Sequence, residues 1–402
     1  MEHVIIIGGG AAGFFAAINI AETNADIKVT ILEKGNKVLQ KVKVSGGGRC
    51  NVSHACFDPA ELVKYYPRGE KELLGPFHKF MTGDVMQWFE DRGVPLKIES
   101  DQRMFPASNS SQTIIDCFVE SAKNAGVHVL LNQNVEAIAK NGNQFHVNTK
   151  SEVFYADKLL ICSGGNPKIW QMIKSLGHRI VDPVPSLFTF NIKDPVISDI
   201  PGISVPNALV SIEGSHFESS GPVLITHWGL SGPAVLKLSS LNAFYLAKKD
   251  YKFTVHINWL NRGFSSVLDE IRTYKINAPK KSIYLRSLFE EIPKRLWVKF
   301  LQSVHIEENQ NWSNISNLQL EKLTEKLTNT VFISHGKTTF KEEFVTAGGL
   351  DLKEINFKGF ESKLIPNLYF AGEVLNIDGL TGGFNFQNAW TGAYLAAMAI
   401  VD

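Results

Sequence analysis

The stretch His3–Glu33 constrains this chain more than any other. Val4-Ile5-Ile6-Ile7 is a short apolar run that leads straight into Gly8-Gly9-Gly10-Ala11-Ala12-Gly13. A helical segment follows to about Ala21, and a second β-rich run, Val29–Leu32, ends on Glu33. Strand, glycine turn, helix and second strand with an acid at its tip are the parts of a dinucleotide site. Gly8 permits the turn, Gly10 lets a diphosphate approach the backbone, and Gly13 lets helix and strand pack closely. The helix start at Ala11 and Ala12 adds free N–H groups and the positive end of a dipole. Glu33, twenty residues after Gly13, is placed to accept hydrogen bonds from a ribose. A glycine turn with no ligand would not explain three glycines in a packed unit, where each costs conformational entropy.

At 402 residues the chain is long for one core, and two or three domains are expected. A net charge of +1 gives no whole-molecule reason to expect an acidic partner. Cys50, Cys56, Cys117 and Cys162 form no CxxC pair, which argues against a disulfide scaffold and a cysteine-rich zinc site. Cys50-X3-His54-X-Cys56 offers too few soft ligands in a short span, so no metal is expected. The chain starts almost on its first strand, without a basic leader, and has no apolar run of roughly eighteen residues. A cytoplasmic protein with no membrane contact is the expectation.

Past Glu33, Lys34 opens a basic stretch that reaches Ser45-Gly46-Gly47-Gly48-Arg49-Cys50-Asn51. Gly47 and Gly48 beside Arg49 read as backbone held against a ligand, on the side where cofactors bind in open α/β sheets. Residues 62–89 read as mainly helical, 94–99 and 103–106 as extended pieces or a hairpin, and Ser110–Asn124 as a capped helix. Strands are expected over 127–131, from Val135 to Ala139, and at 144–148 and 153–154. A buried strand, Leu159–Cys162, ends at Gly164-Gly165, a second strand-to-glycine junction; Cys162 reads as a small core residue.

Prolines then punctuate short alternating runs, as in an inserted β-rich domain over 183–262. Within it, Thr226-His227-Trp228-Gly229-Leu230-Ser231-Gly232-Pro233 is an unusual loop; His227 either touches substrate or is a hydrogen-bonded structural histidine. Residues 263–339 read as a helical subdomain. Its 272–299 stretch mixes lysine and arginine with aromatic residues, which makes either a nucleic-acid surface or the wet and core sides of ordinary helices. The run Phe344–Gly349, the strand before Gly372-Glu373, and a final helix from about Phe386 to Met398 return to the cofactor theme. Residues 1–182 and 340–402 are therefore expected to form one discontinuous domain.

Glycine-rich turns at 46–48, 164–165, 348–349 and 382–383 suit FAD better than NAD, since FAD has a long ribityl chain and a three-ring flavin to cradle. A late helix with its N-terminus toward the flavin pyrimidine would stabilise negative charge on the reduced ring. No second strand–GxGxxG–helix unit is visible, so NADH or NADPH would serve as electron donor without a Rossmann domain of its own. Arg49 is a candidate to anchor substrate or neutralise reduced flavin, and Cys50 either to act as an acid with its pKa lowered by Arg49 or to pack beside the cofactor.

Lys43-Val-Ser-Gly-Gly-Gly-Arg-Cys-Asn51, Thr226-His-Trp-Gly-Leu-Ser-Gly-Pro-Ala234 and Leu368-Tyr-Phe-Ala-Gly-Glu-Val-Leu-Asn-Ile-Asp-Gly-Leu-Thr-Gly-Gly-Phe-Asn385 resemble three signatures of the bacterial HI0933-like flavoproteins. That family is also described as aminoacetone-oxidase-like or NAD(P)/FAD-dependent oxidoreductase, and the resemblance runs over essentially the whole chain. It implies an α/β fold: a glutathione-reductase-like, FAD-binding Rossmann domain interrupted by a β-rich insert and a helical insert. It also implies that Gly8, Gly10, Gly13, Glu33, Arg49, Gly372, Glu373, Asp378, Phe384 and Asn385 line FAD, with His227 in or near an interdomain cleft. Ala11, Ala12, Lys34, Gly47, Gly48, Val135, Gly164, Gly165 and Gly383 complete the expected cofactor set. The implied reaction is hydride transfer between flavin and a small or nucleobase substrate. Reduction of a uridine in ribosomal RNA, oxidation of a small amine, and flavin binding without turnover are the alternatives within it.

Overall fold

A computed structural model describes residues 1–338 and 345–402. Phe344 and the expected boundary at 339/340 lie outside the described residues. The chain divides into two units, Met1–Val184 with Lys341–Asp402, and Pro185–Phe340.

The first unit is built on a sheet whose strands run, across the sheet, Ile355–Asn356, Glu361–Ser362, Leu368–Phe370, Lys158–Ile161, His3–Ile7, Lys28–Leu32 and His128–Leu130. The five from Leu368–Phe370 to His128–Leu130 are parallel. Val4–Ile7 is buried residue for residue, the unbroken apolar run of a central parallel strand. Because these strands run the same way, Ile7, Leu32, Ile161 and Phe370 all end at one edge of the sheet. The turns after them carry Gly8, Gly35, Gly164 and Gly372. Such an edge is where ligands bind in open α/β sheets. The strands expected at 135–139, 144–148 and 153–154 are also present, joined as an antiparallel meander of Val135–Asn141, Gln144–Thr149 and Val153–Ala156.

Helices Ala11–Thr23, Thr82–Glu90, Ser111–Asn124 and Phe384–Val401 meet through an aromatic cluster. Phe15 lies 4.5 Å from Trp88 and 5.3 Å from Trp390, and Phe118 lies 5.5 Å from Trp390, centroid to centroid. The indole N–H of Trp390 donates to Val52 O at 2.9 Å. The first and last helices are thus fixed to each other by packing between residues that are 375 positions apart (390 − 15).

The second unit is a closed barrel with strands in the order Thr189–Ile192, Gly229–Ser231, Glu218–Thr226, Ser204–Ile212, Lys252–Asn258 and Thr330–Thr338. Helices Phe264–Asn277, Lys294–Ser303 and Asn317–Thr328 lie between its last two strands in sequence. They share one core with the barrel, in which Val210, Ile225 and Trp259 join Leu296, Trp297 and Leu323. This corrects the expected split at 262/263. Strand Thr330–Thr338, assigned above to a helical subdomain, closes the barrel by pairing with both Lys252–Asn258 and Thr189–Ile192. Its alternation is mixed: Thr330, Phe332 and Ser334 are buried, while Val331 and Ile333 are 46% and 59% exposed. The apolar alternation that marks a half-buried strand is therefore blurred here.

Candidate cofactor and active site

The N-terminal turn is shaped by close backbone approach. Gly8 has φ +114°, and a Cβ there would strike Cys162 O. A Cβ at Gly13 would strike Gly8 O, whereas one at Gly10 would meet nothing within 4 Å. Glu33 braces the turn from the second strand: Gly9 N–H donates to its Oε2 at 2.8 Å and Gly35 N–H to its Oε1 at 2.7 Å. Each carboxylate oxygen keeps a lone pair for a further donor. No side chain caps the helix Ala11–Thr23, and no acid sits in its first turn. Lys34 is exposed beside Glu33, and Gln133 N–H donates to Glu33 O at 2.8 Å, which brings Val135 close in the chain to this corner.

The late segment meets that turn. A Cβ at Gly372 would lie 3.3 Å from Ala12 Cβ and 3.8 Å from Ala389 Cβ, so this residue sits between the first and last helices. Glu373 accepts from Thr346 N at 3.1 Å and pairs with Lys41 Nζ at 2.5 Å. A Cβ at Gly164 would lie 3.6 Å from the same carboxylate, and one at Gly165 would meet Thr346 Oγ1 at 2.9 Å. Helix Phe384–Val401 begins at Gly383, φ +100°, again with no side-chain cap and no acid in its first turn. Two uncapped helix starts, bridged by Gly372, present unsatisfied N–H groups and positive dipole ends suited to an anionic, oxygen-rich ligand.

The side chains of three expected cofactor contacts are engaged within the protein. Asp378 is fully buried and takes both Nε and Nη2 of Arg68, with Nε at 2.5 Å from Oδ1. The side chain of Asn385 pairs with both backbone groups of Gly379, at 2.8 and 2.9 Å, and so fixes the 376–383 loop. Phe384 is buried in a stack on Tyr65, 4.2 Å between centroids. These side chains brace the loop at the helix start. Nothing in the sequence pairs Arg68 with Asp378, because the partners are 310 positions apart.

The 46–51 turn joins the same neighbourhood. Gly46, Gly47 and Gly48 all have positive φ, and a Cβ at Gly47 or Gly48 would meet nothing within 4 Å. Beyond it, Ser53 Oγ donates to Gln387 Oε1 at 2.6 Å, and His54 Nδ1 lies 3.2 Å from Gly382 O. Arg49 donates to Glu99 at 2.6 Å and lies 3.9 Å over the Phe105 ring, so much of its cationic character is already engaged. Of the two readings of Cys50, its burial favours packing over acid catalysis. It is 0% exposed, and burial pushes its thiol up to about 12, the opposite of activation by Arg49. A neutral, enclosed thiol is a packing group. His54, half-buried in contact with Phe384, is the residue sequence reasoning underused; burial lowers its pKa and Nε2 makes no hydrogen bond among the described residues.

His227 belongs to the other unit, exposed in the turn between Glu218–Thr226 and Gly229–Ser231, and it makes no hydrogen bond among the described residues. The aromatic residues in and next to the 272–299 stretch divide by burial: Phe289, Trp297 and Phe300 are core, and Tyr274 and Tyr284 are partly buried against it. Arg272 pairs with Glu321 and Lys299 with Asp199. No group of three or more His, Cys, Asp or Glu among the described residues could hold a metal ion. No helix among the described residues is long and apolar enough to cross a membrane.

A parallel sheet ending in glycine turns, with an acid on the second strand and two open helix starts at one edge, defines a Rossmann-type flavoprotein oxidoreductase. The chain belongs to the family described as HI0933-like protein Rossmann domain, which matches residues 2–399. It is 29% identical to the ribosomal RNA dihydrouridine synthase of Haemophilus influenzae over 98% of each chain. It is 26% identical to the 3-dehydro-bile acid delta(4,6)-reductase of Clostridium scindens over the whole of both chains. Among solved structures, 3-ketosteroid delta1-dehydrogenase from Sterolibacterium denitrificans aligns over the full length of both chains with TM-score 0.50 at 11% identity, a likeness of fold.

Proposed function

We propose that this chain is an FAD-dependent reductase that adds hydrogen across the ring double bond of a uridine in ribosomal RNA. The observation that carries the reading is the likeness to the Haemophilus influenzae enzyme across 98% of both chains, which spans every segment that builds the cradle. The bile-acid relative's name also describes reduction of carbon–carbon double bonds, in a molecule that carries a carbonyl. Saturation of a double bond conjugated to a carbonyl is chemistry that both substrates admit.

The residues fit FAD. Gly8–Gly13 and the start of Ala11–Thr23 would hold the diphosphate, and Glu33 the adenosine ribose, with Lys34 and Val135 flanking the adenosine. Glu373 and the open glycines Gly47, Gly48, Gly164, Gly165 and Gly372 would flank the ribityl and ring portions. The N-terminus of Phe384–Val401 would face the pyrimidine end of the flavin, where its dipole favours negative charge. Bound flavin supplies the hydride. Around it, Arg49 offers N–H groups not used by Glu99, and His54 is the half-buried group able to hold or move a proton at Nε2. Reducing equivalents come from NADH or NADPH, and His227 and bases of the 272–299 stretch are candidates for RNA contact.

The test is anaerobic. The purified flavoprotein is mixed in its oxidised form with a small amine, and separately is reduced with NADH or NADPH and then mixed with an unmodified ribosomal RNA fragment, a conjugated enone or buffer. Reoxidation of the flavin and appearance of dihydrouridine with RNA alone are expected. Reduction of the oxidised flavin by the amine, or no reoxidation by either double-bond substrate, would overturn the proposal in favour of an amine oxidase or a non-catalytic flavoprotein.

A further inference from the structure

The helical block of the barrel unit carries a partly open pocket of ≈ 320 Å³, at the lower end of the range for small-molecule sites. Among the lining residues, Lys281 and Arg286 supply two cations, and no carboxylate accompanies them. Neither cation has an ion pair or hydrogen bond among the described residues, unlike Arg272 with Glu321 or Lys299 with Asp199. Ser282 and Ser287 add hydroxyl groups. Each Oγ already accepts a backbone N–H, from Tyr284 at 3.3 Å and Phe289 at 3.1 Å, which leaves its O–H to donate.

Trp312 is the decisive residue. It is 2% exposed and lines the cavity, yet its indole N–H has no acceptor among the described residues. The other buried tryptophans do not leave theirs open: Trp170, Trp259, Trp297 and Trp390 donate at 2.9 Å, and Trp88 at 3.3 Å. The Trp312 N–H is not among the sealed-off polar atoms of the described residues; it is open to the water of the pocket and so free to donate to a ligand there. The cavity is therefore lined by side-chain donors that lack acceptors, beside the apolar surface of Leu285 and the Tyr274 ring.

We propose that this cavity binds a phosphomonoester with a small apolar or aromatic body. Two cations, two hydroxyls and an indole N–H call for more acceptor positions than the two oxygens of a carboxylate provide. A phosphomonoester has three terminal oxygens and close to two negative charges near neutral pH. The organic part rests against Leu285 and Tyr274. The same chemistry comes from a free phosphorylated metabolite or from the terminal phosphate of an RNA strand, and the assignment is independent of what the flavin reduces.

Calorimetric titration of the full-length flavoprotein with phenyl phosphate tests it. One saturable site is expected, with affinity reduced at least about tenfold in the Lys281→Ala/Arg286→Ala double variant and about threefold or more in Trp312→Phe, at unchanged flavin content. The double variant changes only exposed side chains, so it reports even if Trp312→Phe does not fold. Absence of saturable binding, or wild-type affinity in the double variant, overturns the site. Competition by a 5′-phosphorylated RNA oligonucleotide and not by its dephosphorylated form assigns the phosphate to a strand end. Competition by neither assigns it to a free metabolite, and equal competition by both overturns the monoester assignment.

Discussion

A methyl group added at Gly10 and one added at Gly13 probe different properties of the same turn. The Gly10 Cβ would enter open space, so Gly10→Ala should keep thermal stability within about 0.5 kcal/mol of the parent while flavin affinity falls at least about tenfold. Gly13→Ala collides with the Gly8 carbonyl and should lose stability by more than about 1 kcal/mol. Apoprotein melting together with flavin release by equilibrium dialysis distinguishes the two. Arg68→Ala removes the arginine that pairs with the fully buried Asp378 carboxylate and should cost about 3–5 kcal/mol in denaturant unfolding. His54→Gln keeps a polar side chain beside Gly382 and should retain flavin while single-turnover RNA reduction slows by about 10²-fold or more. If His54 donates as imidazolium, the parent rate falls as pH rises through a pKa that burial holds below 6.5, and the variant loses that limb.

The elements show where sequence reasoning reaches and where it stops. The first βαβ unit was legible because each part answers a separate physical demand: buried strand, open turn, helix start, acid. The hairpin of Leu96–Ile98 with Arg103–Pro106 and the Ser110-capped helix were legible from local pattern as well. Strand Thr330–Thr338 was not, because its inward positions mix Thr330 and Ser334 with Phe332 while Val331 and Ile333 face outward. At the candidate site, the glycines announced themselves, but the commitment of Asp378 to Arg68 and of Asn385 to Gly379 depends on how distant segments meet. The burial that raises the Cys50 thiol was likewise invisible beside its neighbour Arg49. Packing between elements sets the next prediction. Trp390→Ala removes a fully buried indole that touches Phe15 and Phe118 and should destabilise the sheet unit by roughly 3–5 kcal/mol, read as a lower denaturation midpoint with loss of flavin.

For the molecule as a whole, acid sensitivity follows from three histidines of the sheet unit. His3, His54 and His178 are all lowered from 6.5, chiefly by burial. Between their folded values and 6.5 the unfolded chain binds more protons than the folded one, so their contribution to stability is fully present above 6.5 and is lost as pH falls below it. Melting temperature should drop between pH 7 and pH 5, and replacing His178 by Gln should flatten that drop. The sheet of this unit also sets an order of assembly. Strand Leu368–Phe370 pairs with Lys158–Ile161, and the helix that abuts Gly372 follows it. On a translating ribosome, the segment before Pro185 must wait, its sheet unfinished along one side, until the entire barrel has been made. Cofactor capture is therefore a late event in biosynthesis, and nascent chains stalled before residue 368 should emerge without flavin.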